Sequence, residues 1–82
     1  MIIDGADVMG DKEILRDAIK KRGVKQVELA KKLNISQATL SGNMSRDRMG
    51  LDNFMKILDA LDYDIYVVDR NTGKAMWTMD VI

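Results

Sequence analysis

The run Gln26-Val-Glu-Leu-Ala-Lys-Lys-Leu-Asn-Ile-Ser-Gln-Ala-Thr-Leu-Ser41 decides how this chain folds. Val27, Leu29, Ala30 and Leu33 fall at helical spacing, which predicts a helix over about Lys25–Leu33. Asn34 follows, and Asn tolerates the left-handed backbone that a tight turn between helices needs. Ile35 supplies an apolar anchor, and Ser36 is a good N-cap for a further helix carrying Gln37 to Met44. Only Ala38, Leu40 and Met44 on that helix are apolar. A short, polar, weakly packed helix in so small a chain is best explained by something it touches outside the core.

Working outward, Ile14, Leu15, Ala18 and Ile19 form one apolar stripe of a helix beginning at Asp11. Lys20, Lys21 and Arg22 suit its C-terminal dipole, and Gly23 is a natural stop. Past the quoted run, Ser45 to Gly50 reads as a basic loop, and Leu51–Leu61 as a helix. Leu51, Phe54, Met55, Leu58 and Leu61, with Ile57 beside them, give that helix a broad face for closing a bundle. The pattern then changes to β-branched and aromatic residues from about Tyr63. Arg70-Asn-Thr-Gly73 makes a turn, and Lys74 to Val81 makes a return strand. A lone hairpin is marginal in water, so this one is expected to pack on the helices and to pair with its twin in a second subunit.

The chain has 82 residues, enough for one domain with a modest core. It has no Cys and no His, which removes disulfides, thiolate metal sites and the usual general base. No cofactor or metal is expected, and a bundle of this size offers little cleft for an enzyme. No apolar run approaches the ~20 residues needed to cross a bilayer. Met1 to Gly10 carries Asp4 and Asp7 and no basic residue, unlike a secretory signal, so a cytoplasmic location is expected. The seven methionines read as core filler. The formal net charge is zero, yet Lys12 to Arg48 holds ten basic and four acidic residues, a net +6. Residues 1–11 and 49–82 each carry −3. Such segregation favours a basic surface that attracts phosphates, although lysines also simply solvate helix faces.

Gln26, Leu29-Ala30, Asn34, Ile35, Ser36 and Leu40 fall in register with a known pattern. The run resembles the helix-turn-helix of the lambda-repressor-like (Cro/XRE-type) DNA-binding family, and the resemblance extends over about Asp11 to Asp64. It implies a mainly α fold: a small four- to five-helix bundle with a helix-turn-helix, followed by a C-terminal β-hairpin. The corresponding organisation is an arm over 1–10, a bundle over 11–62 and a hairpin over 63–82, in one domain. The second helix of the motif would enter the major groove of double-stranded DNA.

By resemblance, Gln37, Ala38, Thr39 and Ser41 would meet bases, and Gln26, Ser36, Asn43, Arg46 and Arg48 would meet phosphates. Gln26 and Ser36 can also serve only as helix caps, Gln37 as an idle surface amide, and the arginines as solvated cations. Tyr66, Val68, Met76 and Trp77 are the candidate interface of a homodimer. The implied function is a bacterial or phage transcription regulator, a dimeric repressor on a palindromic operator. The alternative is an antitoxin or protein-interaction module on the same bundle, with a toxin or other regulatory protein as partner. Two positions depart from the pattern: Asn34 stands where the family favours Gly, and Gly42 stands inside the recognition helix where many relatives carry a long polar residue.

Overall fold

The computed structural model describes residues 9–46 and 49–80. Residues 1–8 of the expected 1–10 arm, the Arg48 phosphate contact and Val81 of the expected return strand lie outside the described residues. Four helices come first: α1 (Asp11–Arg22), α2 (Gln26–Lys32), α3 (Gln37–Ser45) and α4 (Leu51–Ala60). A two-stranded antiparallel sheet follows, β1 (Ile65–Val68) and β2 (Ala75–Met79). The expected order of helices, turn and hairpin is the observed one.

Local chemistry explains the ends of these elements. The Glu13 carboxylate accepts from the Gly10 N–H at 3.2 Å, tying down the entry to α1. Gly23 ends α1 at φ 67°, and its N–H reaches back to the Ile19 and Lys20 carbonyls. Past α4, Asp62 adopts φ 62°, and the Tyr63 N–H closes on the Leu58 carbonyl at 2.9 Å. In the hairpin, Asp69 and Lys74 close the turn, the Asp69 carboxylate accepts from Asn71 N–H at 2.8 Å, and Gly73 takes φ 71°.

One core joins the four helices. Leu15 and Ala18 of α1, Leu29 and Ala30 of α2, Leu40 and Met44 of α3, and Ile57 and Leu58 of α4 meet there with Met49 and Leu61. No polar or charged side chain is buried among the described residues, so the core rests on apolar burial alone. Leu15 and Leu40 are the largest side chains wholly removed from solvent.

Three expectations are corrected. Val27 and Leu51 lie on the apolar faces of their helices yet are 42% and 56% exposed. Each belongs to a first helical turn that runs past the edge of the core, so periodicity gave the right face but not where its burial begins. Of the methionines, Met44, Met49 and Met55 are buried, whereas Met76 is exposed and Met9 and Met79 are only half-buried. The hairpin meets the helices at its root, through Tyr63 and Ile65, and does not lie down on them. Tyr66, Val67, Val68, Met76 and Trp77 are all exposed, on both faces of the sheet.

Arg22 explains how the root is held, a role the sequence did not reveal. Its Nε donates to the Leu61 carbonyl at 2.8 Å and a second guanidinium nitrogen to the Asp62 carbonyl at 3.0 Å. The guanidinium also stacks 4.0 Å from the centre of the Tyr63 ring. The last turn of α4 has no basic residue of its own, so α1 supplies the cation for that helix C-terminus.

Candidate nucleic-acid interface

The geometry of α2 and α3 starts at the turn between them. Leu33 N–H bonds the Leu29 carbonyl, Asn34 N–H the Lys31 carbonyl and Ile35 N–H the Ala30 carbonyl, each at 3.0 Å. Asn34 takes φ 58°, the left-handed conformation for which its short amide is suited. Ala30, 2% exposed, lies at this junction, and Ile35 packs against the core just before α3 begins. These contacts hold α3 by its inner side only, through Leu40 and Met44.

Ser36 is the N-cap of α3: its Oγ accepts from the Thr39 N–H at 3.0 Å. The Ser36 and Thr39 hydroxyls lie 2.8 Å apart and share a further hydrogen bond. Both groups therefore spend part of their bonding capacity on the helix start. At the other end, Ser45 Oγ donates to the Ser41 carbonyl at 2.8 Å, and Lys12 Nζ donates to the Ser45 carbonyl at 3.0 Å. Lys12, in the first turn of α1, thereby ties that turn to the C-terminal end of α3.

Gln37, Ala38, Thr39, Ser41 and Gly42 are exposed on the outer side of α3, and Asn43 is half-buried. The Gln37 amide and the Ser41 hydroxyl have no hydrogen-bond partner among the described residues. Gln26 is the first residue of α2, exposed, and likewise without a side-chain partner among the described residues. Arg46, exposed at the C-cap of α3, pairs with no carboxylate among the described residues. Gln37, Ser41 and Arg46 thus share one short helix and its exit, with their donors and acceptors turned outward. Tyr66, Val68, Met76 and Trp77 are on the hairpin, a separate element.

Gly42 is two residues from both Leu40 and Met44, about 200° around the helix from each, so it faces away from the core. A Cβ built at Gly42 would meet nothing within 4 Å, and the residue has no positive φ. Internal packing therefore gives no reason for a glycine there.

A family model described as helix-turn-helix matches residues 15–68, most of the chain. No curated protein and no solved structure gives a significant match. Among the described residues, no helix is long and apolar enough to cross a membrane.

Proposed function

The chain belongs to the Cro/XRE-type helix-turn-helix family of DNA-binding regulators, and from that premise we propose a dimeric repressor that reads a palindromic operator through the major groove. The observation that carries the reading is the outer side of α3. Its core-facing side is fixed by Leu40 and Met44, while Gln37 and Ser41 present unpaired polar groups outward. Gln37 is the base reader, because a glutamine amide pairs bidentately with adenine. Ser41 and Ala38 flank it, with Thr39 contributing what its bond to Ser36 leaves free. Gln26, Ser36, Asn43 and Arg46, with Arg48 beyond, hold phosphates around the groove. The charge distribution supports this division: the net +6 segment holds α1 to α3, and the hairpin lies within a net −3 segment that would be repelled from DNA.

Selection from random duplex DNA, followed by titration over a salt series, tests the reading. The expected result is a palindrome with half-sites about one helical turn apart, bound with an affinity that falls steeply as salt rises. Failure to enrich any sequence, with weak retention at low salt, would favour the second reading. That reading is an antitoxin or interaction module, supported by the apolar residues open on both faces of the hairpin.

Gly42 gives a test with opposite signs on two axes. In a helix interior Gly is worth about 0.5–1 kcal/mol less than Ala. Gly42→Ala is expected to raise the melting temperature by a few degrees and to weaken operator binding, because the added methyl stands on the groove-facing side. Thermal melts and DNA titrations of the variant measure both. A variant that is more stable and binds as tightly would eliminate close DNA approach as the reason for this glycine.

A further inference from the structure

Of the seven large apolar side chains exposed among the described residues, five are on the hairpin. Trp77, at 64%, is the most open of them. The sheet has only β1 and β2 among the described residues, so each strand has an unpaired outer edge. Two-stranded sheets are marginal alone, and a third or fourth strand makes them stable. The charges flanking each strand decide which edge can meet its own copy.

An antiparallel two-fold pairing of β1 about its centre sets Asp64 opposite the second copy's Asp69, like charge against like. For β2 the outcome reverses. Pairing centred on Trp77 sets Ala75 opposite Met79, Met76 opposite Thr78, and Lys74 opposite the second copy's Asp80. Lys74 and Asp80 are both exposed at opposite ends of the strand, and neither has an ion-pair partner among the described residues. Centring the strand one residue either way breaks this match.

We propose that a second copy of this chain docks on the outer edge of β2, antiparallel and centred on Trp77, forming a four-stranded sheet closed by two Lys74–Asp80 pairs. This deepens the dimer in the function proposed above and rests on that reading. The two indoles become cross-strand neighbours at the two-fold axis, where aromatic pairs stabilise a sheet beyond their buried area. The bulge that shifts register between Val67 and Val68 adds twist, so the joined strands coil about each other instead of forming a flat sheet. The β1 edges then lie outermost, and Asp64 and Asp69 oppose addition of further strands. The assembly is closed at two copies.

A charge-swap cycle on the full chain tests the register. Oligomeric state is measured by sedimentation equilibrium for the wild type, Lys74→Glu, Asp80→Lys and the double variant, with circular dichroism reporting that each is folded. Each single reversal places two like-charge pairs in the interface and is expected to weaken the dimer about tenfold or more. The double variant restores both pairs with polarity reversed and is expected to return to within a few-fold of wild type. A wild-type dimer with a double variant no better than the singles would overturn the β2 register while leaving the dimer intact. A wild type that stays monomeric at high micromolar concentration, and on operator DNA, would overturn the dimer itself.

Discussion

Leu40→Ala is expected to cost about 2–5 kcal/mol, the range for truncating a fully buried leucine. Leu40 has 0% exposure and, with Met44, fastens α3 to the other helices. A core in a chain this short seldom contributes more than about 5 kcal/mol of net stability, so most molecules should be unfolded or close to it at 37 °C. Each kcal/mol lowers the melting temperature by roughly 4–8 °C in a domain of this size. Leu51→Ala is the internal control. It removes the same atoms from a side chain that is 56% exposed, and the expected change is within about 0.5 kcal/mol. Thermal melts of the two variants side by side decide the matter. Equal destabilisation would mean that Leu51 is covered in solution, contrary to its place outside the core.

The second large effect falls on binding and leaves the fold alone. Gln37→Glu combined with Arg46→Glu should abolish specific DNA binding, weakening it by at least ~100-fold at physiological salt. Both side chains are exposed and neither bonds another described residue, so the melting temperature should stay within a few degrees of wild type. The alanine variants separate the two roles. Arg46→Ala frees one phosphate per subunit, so the slope of log affinity against log salt should become shallower by about 1 for each phosphate no longer neutralised. Gln37→Ala should leave the slope unchanged and relax the preference at one base pair of each half-site, at a cost of about 1–3 kcal/mol. A double reversal that binds the operator as tightly as wild type would move the interface off α3 altogether.

The residues differ in how far their sequence alone disclosed their roles. Asn34 and Gly23 were legible because left-handed turns admit few residue types, and both adopt that conformation. Ser36 was legible as a cap, and its hydroxyl does cap α3; the same bond draws in Thr39, which no spacing rule would show. Helical periodicity marked the faces of α2 and α4 but could not say where the core stops, hence Val27 and Leu51. The Arg22 clamp was hidden for another reason. It joins residues 39 and 40 positions apart, and from the sequence Arg22 looked only like a last-turn cation of its own helix. The hairpin's strands and turn were evident from composition, but whether such a hairpin lies on the helices depends on tertiary contact. Here the contact ends at Tyr63 and Ile65.

That short footing turns the hairpin into a lever. Arg22 holds the end of α4 and the ring of Tyr63 together, so α1 is the support about which any swing of the sheet would pivot. In the proposed assembly joined at the sheet, a small swing at this pivot would be magnified into a larger displacement of the two α3 helices relative to each other. If the proposed dimer forms there, stiffness at Arg22 would set how many base pairs of spacer it accepts between half-sites. A lysine there, lacking the planar fork, would loosen the pivot and broaden the accepted spacers without touching any residue that faces DNA.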